Sequence, residues 1–246
     1  LVYVLARAHM GAGDLDAAEP VLRSLVEAGT TFDQIWEDYI RVLSQNGKRA
    51  EAEAVLQEAL VVVPESADLK WFQASILERN RDFEGAIVVY EELYALNDGS
   101  PIIANNLASL LSTVREDPDS LDRADRIARR LRGTDVPAFQ DTYGWIRYLQ
   151  GDYQEALEYL RPAADGLSTD PMVQLHLGLT YDALERTEDA IAQIARAVEM
   201  AGDDPRPAFA RARDRLTELQ NSDTGAGSES GGGGTLPSNS DTGVRE

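Results

Sequence analysis

A period of 34 residues constrains this chain more than any other feature. From Asp33 to Ser100 two successive segments carry the same order of large and small side chains. Trp36 is followed by Tyr39, Ile40 and Leu43, then by Ala52, Leu56, Ala59 and Pro64. At the same offsets in the next segment stand Lys70, Gln73, Ala74, Leu77, Ala86, Tyr90, Leu93 and Asp98. Apolar residues three and four apart mark amphipathic helices, and the recurring small residues let paired helices approach closely. A chain that repeats one helix pair buries a core continuously between neighbours, so its 246 residues are read as one array rather than as separate globules.

The same register extends in both directions. Val2, Leu5, Ala6 and His9 lie on one face, then Ala18, Leu22 and Leu25 on the next, joined at Gly13-Asp14. Downstream come Ala104, Leu107, Ala108 and Leu111; Tyr143, Gly144, Ala156, Leu160 and Ala163; and Leu177, Gly178, Tyr181, Ala190, Ile194 and Ala197. This pattern resembles the tetratricopeptide repeat, whose order is Trp, two residues, Leu-Gly, two residues, Tyr, then Ala, three residues, an aromatic, and a late Pro. The resemblance implies an all-α fold: a right-handed α-solenoid of six tetratricopeptide repeats, at about 1–32, 33–66, 67–100, 101–136, 137–170 and 171–204, plus a C-terminal capping helix at 205–220. That makes about thirteen helices. Leu1 falls two residues inside a repeat's first helix, so the chain reads as a fragment of a longer one, with any signal peptide or lipid anchor lying upstream. Asn105-Asn106-Leu107-Ala108 and Asp141-Thr142-Tyr143-Gly144-Trp145 look like stretches of bacterial repeat proteins of envelope and exopolysaccharide systems, and the Ala-rich, Arg-over-Lys composition also looks bacterial.

Local chemistry adds detail. Ser66, Ser100-Pro101 and Asp170-Pro171 are helix starts. Asn46-Gly47 and Asn80-Arg81 are turns in which Gly47 and Asn80 take or tolerate positive φ. Pro20 and Pro162 fall inside helices and are expected to bend or locally break them. Ala86 and Ala124 are 38 residues apart and Ala124 and Ala156 are 32 apart, which places a longer, protruding loop at 115–119 with Asp119 capping the next helix. The last helix carries Phe209, Ala212, Leu216 and Leu219 on one face and Arg206, Arg211, Arg213, Arg215 and Glu218 elsewhere, as a solubilising cap does. From 221 to 246 the composition turns to Gly, Ser, Asp and Thr, and a disordered tail is expected.

Composition excludes several functions. There is no cysteine, hence no disulfide, thiolate metal site or cysteine nucleophile. The net charge of −20 repels phosphate backbones and anionic membranes and favours a basic partner. No apolar run reaches the roughly 20 residues of a membrane span. His9 and His176 lie in the first and sixth repeats and read as packing residues. No phosphate loop, nucleophile elbow or zinc motif occurs, and no catalytic site, metal or cofactor is expected. Asp117, Asp119 and Asp122 lack calcium-loop spacing.

In the tetratricopeptide family the first helix of each repeat lines a concave groove. Taking the register from Trp71, its equivalents are Tyr3, Glu37, Asn105, Asp141 and Leu175. One turn on stand Arg7, Arg41, Ser75, Ser109, Trp145 and Leu179, and three further Met10, Ser44, Glu78, Ser112, Tyr148 and Asp182. The expected partner-binding residues are Glu37, Arg41, Trp71, Ser75, Glu78, Asn105, Ser109, Asp141, Trp145 and Tyr148. Trp145, Tyr148 and Asp141 form the main anchor, suited to a Lys or Arg beside an aromatic residue, so Trp145→Ala should leave stability nearly unchanged. Family members that hold chaperone carboxylates use Lys, Asn and Arg on these faces, and no Lys stands at the corresponding places here. Trp36, by contrast, matches the family's core tryptophan. The expected function is a non-enzymatic scaffold that binds a protein or peptide segment in the groove. The alternatives are a docking region of a larger enzyme or envelope machine and, through Arg123, Arg126, Arg129, Arg130 and Arg132, a nucleic-acid-binding regulator. The compartment, cytoplasm or bacterial periplasm, stays open.

Overall fold

The computed structural model describes residues 1–115 and 117–229, which form thirteen α-helices with no strand among the described residues. They group into two compact units, Leu1–Gly133 and the chain from Thr134 onward. The first unit holds four helix pairs: α1 (Val2–Gly11) with α2 (Leu15–Glu27), α3 (Asp33–Gln45) with α4 (Arg49–Val62), α5 (Ala67–Arg79) with α6 (Phe83–Leu96), and α7 (Pro101–Val114) with α8 (Pro118–Ala128). The second holds α9 (Pro137–Leu149) with α10 (Tyr153–Gly166), α11 (Pro171–Ala183) with α12 (Thr187–Ala201), and α13 (Pro207–Glu229). The all-α repeat architecture anticipated from the 34-residue period is therefore present in each unit.

The core follows the small residues of the period. Ala18, Ala52, Ala86, Ala124, Ala156 and Ala190, one per pair, are all buried, and each lets its second helix lie close against the first. Trp36 is a core residue as expected, and its indole Nε1 donates to the Thr30 carbonyl at 3.0 Å, which satisfies its polar edge. In the second unit α11 and α12 approach closely at Gly178, where an added Cβ would stand 2.7 Å from Ile194 Cγ1 and 3.0 Å from its backbone N. Phe209, Ala212 and Leu219 of α13 then close the stack against Leu175 of α11 and Ala190, Ile194 and Ala197 of α12.

Several local expectations are corrected. Pro20 and Pro162 lie inside α2 and α10, and both helices run through them, since each proline is exposed and forgoes only one backbone bond. The turn after α5 places positive φ at Arg81, not Asn80, and the turn after α11 places it at Glu185; each sits 34 residues from a turn glycine or from the other repeats' equivalent, so topology overrides residue preference there. The added length of the fourth repeat enters the helices, not a protruding loop: α7 ends at Val114 and α8 begins at Pro118, six residues before Ala124. Asp117, rather than Asp119, caps α8, accepting from the Ser120 amide at 2.8 Å. The final helix is described through Glu229, beyond the bound of 220 suggested by composition, because a nucleated helix adds a backbone bond with each residue. The rest of the expected disordered tail lies outside the described residues.

Candidate functional site

In the first unit most of the expected groove residues contact other residues of the protein. Trp71 meets Tyr90 edge-on, with centroids 5.7 Å apart. The Tyr90 hydroxyl donates to Glu78 at 2.7 Å and accepts from Asn106 at 3.0 Å, and Asn105 donates to Asn106 at 3.1 Å, a relay that crosses from α5 through α6 to α7. Burial, followed by the Glu78 bond, pushes the Tyr90 phenol well above its ordinary range. The Ser75 hydroxyl donates to the Trp71 carbonyl, and the Ser109 carbonyl accepts from Ser112 and Thr113. Arg41 reaches the buried Asp38 at 3.3 Å.

Glu37 is not an open groove residue. It is 4% exposed on α3, and its carboxylate accepts from Gln34 Nε2 at 3.0 Å. Burial raises its pKa to about 7, with Asp68, Asp33 and Asp38 adding to the rise and Arg41 opposing it. A folded pKa above the ordinary carboxylate value means the folded state holds the proton more tightly. The stabilising contribution is complete below the unfolded value of 4.5 and is lost as pH rises through about 7. Glu37→Gln, which mimics the protonated form, should therefore stabilise the chain at pH 8 by about 1 kcal/mol, allowing for solvent screening, and should change little at pH 4. Melting curves at the two pH values check this; an equal effect at both would refute it.

The second unit holds a different arrangement. Trp145 of α9 is half-buried in a stack of near-parallel rings, with Tyr148 at 4.7 Å and 9° and His176 of α11 at 4.0 Å and 14°. Two rings at those separations would overlap on one face, so they cover opposite faces of the indole. The Asp141 carboxylate lies 2.9 Å from His176 Nδ1 and orients the imidazole. Asp141, Trp145 and Tyr148 are thus assembled in one place, as the register indicated. Asp141 faces His176, however, and is not a free charge awaiting a basic group. Burial, then Tyr153 and Asp182, raise the Tyr148 phenol.

Beside this stack is a cleft of about 290 Å³ whose walls are Trp145 of α9, Met172, Leu175, His176, Leu179 and Asp182 of α11, and Ala208, Arg211, Ala212 and Arg215 of α13. Asp182 is bound by Arg215 through two bonds of 2.7 and 2.9 Å, and Glu218 takes a third at 2.8 Å, which holds the Arg215 guanidinium more firmly protonated than usual. Leu175, Leu179 and Asp182 belong to the register of the expected groove. The α13 side was missed because that helix was read as a cap, although Ala208, Arg211, Ala212 and Arg215 recur at three- and four-residue spacings as a second face. On α8 Arg123 pairs with Glu91, and in the 3₁₀ turn that follows it, Arg129–Leu131, Arg129 reaches Asp125 at 2.9 Å and Arg130 stands 5.0 Å over the Tyr94 ring, so most of the basic cluster is engaged within the protein. Among the described residues no helix is long and apolar enough to cross a membrane.

Helix pairs in 34-residue register, closed by a helix that seals the core, define a helical-repeat protein. Two models described as tetratricopeptide repeat match residues 40–101 and 147–216, together more than half of the chain, and the chain belongs to the tetratricopeptide repeat family. Such repeats mediate protein–protein interaction. A relative, the TPR repeat-containing protein PA4667 of Pseudomonas aeruginosa, is 29% identical over 170 residues, which is 68% of this chain and 28% of the relative. The chain thus spans less than a third of that relative's length. Among solved structures, a tetratricopeptide repeat protein from Parabacteroides merdae matches with a TM-score of 0.61 at 15% identity, covering 89% of this chain and 86% of that one. Pseudomonas aeruginosa pilF matches at 0.60 and 14%, covering 87% and 96%. YrrB, described as a TPR protein with an unusual peptide-binding site, matches at 0.57 and 14%, covering 78% and 97%. At these identities the likeness concerns the fold.

Proposed function

We propose that this chain is a non-enzymatic scaffold that holds a segment of a protein partner on the first-helix face of its second unit, in the cleft between α9, α11 and α13. The observation that carries this reading is the cleft itself: a concave, largely apolar space of about 290 Å³ with Trp145, Leu175 and Leu179 on one side and Ala208 and Ala212 on the other. An aromatic side chain in a concave wall is the type of residue that dominates binding interfaces. The expected groove residues of the first unit, Trp71, Ser75, Glu78, Asn105, Ser109, Arg41 and Glu37, form internal contacts and have a supporting role in this reading.

Peptides selected from a random display library against the full chain provide the test. Leu179→Gln should weaken the selected peptides about tenfold, the loss expected when a buried leucine contact is removed, while Val88→Gln, on the exposed side of α6, should leave them unchanged. Selected peptides that bind wild type and Leu179→Gln alike would refute the cleft as the site. A second reading, that these repeats dock the active part of a larger protein, is favoured by the length of the Pseudomonas relative.

A further inference from the structure

We infer that the segment seated in this cleft is acidic: an apolar side chain lies against Trp145 and Leu179, and a neighbouring carboxylate is taken by Arg211. This rests on the reading of the cleft as the binding site and specifies its partner. Four charged or ionisable side chains line the cleft, namely His176, Asp182, Arg211 and Arg215. Three are engaged: His176 faces Asp141, and Arg215 is joined to Asp182 and Glu218. Arg211 is exposed on α13 and, among the described residues, has no ion pair, hydrogen bond or ring contact. Asp214, one turn further along α13, is not among the cleft-lining side chains and makes no ion pair with it.

The sign of the partner follows from what remains available. A basic segment would find both nearby carboxylates, Asp141 and Asp182, already held by cations or an imidazole of the protein. An acidic segment would find a guanidinium whose five donors are free to take a carboxylate in the two-pronged geometry that suits both groups. The net charge of −20 opposes an acidic segment at long range, so selectivity has to come from this local cation over an apolar floor. The pairing separates this site from the groove positions of the first helices, where the absence of lysine argued against carboxylate binding; Arg211 stands on the closing helix instead.

Fluorescence anisotropy on the full chain at physiological salt tests the inference. The probes are three labelled short peptides that share one Leu and one Phe and differ only in having Glu, Ser or Lys at the flanking positions. Only binding that Leu179→Gln weakens about tenfold or more is counted, which removes general attraction of the Lys peptide to an acidic protein. The Glu peptide should bind about tenfold more tightly than the Ser peptide, Arg211→Gln should remove that preference, and Arg211→Glu should invert it in favour of Lys. If the Ser or Lys peptide binds wild type as tightly as the Glu peptide, or if Arg211→Glu leaves the order unchanged, the acidic partner is refuted while the cleft stands. If no peptide shows binding that depends on Leu179, the cleft and the inference fall together.

Discussion

Trp145→Ala should destabilise the second unit by about 3 kcal/mol, the lower end of the cost of truncating a buried aromatic, because the indole is only half-buried yet stacks on two other rings. Removing it leaves Tyr148 and His176 without the ring between them and opens the wall of the cleft. His176 is itself 6% exposed and tied to Asp141, so it has little freedom to collapse into the space. This reverses the expectation drawn from the register alone, which placed Trp145 in solvent with no part in stability. Trp145→Phe keeps a ring in the stack and should cost about 1 kcal/mol, as shape-altering aromatic exchanges do. Denaturant unfolding of both variants is the check: an unfolding midpoint for Trp145→Ala equal to that of wild type would show that the stack contributes nothing.

The contrast shows which part of the site was legible in the sequence. A period of 34 assigns each residue to a helix face, and so Trp145, Tyr148, Leu175, Leu179 and Asp182 were placed correctly on first helices. What a period cannot specify is which side chains of adjacent repeats meet across those faces. Asp141 and His176 are 35 residues apart, one repeat plus one position, and their contact depends on how far the two helices are rotated against each other. The same limit hid the burial of Glu37, whose neighbours Asp33 and Asp68 lie on its own helix and on the next first helix. Arg211 was visible as a charge but not as a cleft residue, because a closing helix was judged by the face it buries. Turn chemistry misled at Asn80-Arg81, where Arg81 rather than Asn80 takes the left-handed conformation, as Glu185 does in the sixth repeat, because the repeat demands it whether or not glycine is present.

Gly178→Ala should destabilise the second unit by about 2 kcal/mol, and by more than Gly144→Ala, although both exchanges sit at the same position of the repeat. In an unconstrained helix, replacing Gly by Ala gains about 1 kcal/mol of helix propensity, so any net loss must come from contact. At Gly178 the new Cβ would meet Ile194 Cγ1 at 2.7 Å and the Ile194 backbone N at 3.0 Å. A rotamer change could move the first atom, but the second belongs to α12 itself, so relief requires the two helices to separate. That separation would loosen Ala190, Ile194 and Ala197 from Leu175 and Phe209, the packing that also positions the cleft walls on α11 and α13. At Gly144 the nearest atom is Leu160 Cγ at 2.8 Å, which a side-chain adjustment can move, while Tyr159 Cβ at 3.1 Å moves only with its backbone but needs to give by only a few tenths of an ångström, so less helix separation is required. Gly178→Ala should therefore lower both the melting temperature and the affinity for selected peptides, and adding Ile194→Ala should restore neither fully, because the backbone contact persists and a cavity is added. A Gly178→Ala variant as stable as wild type would mean that α11 and α12 pack less closely than their contact distances indicate.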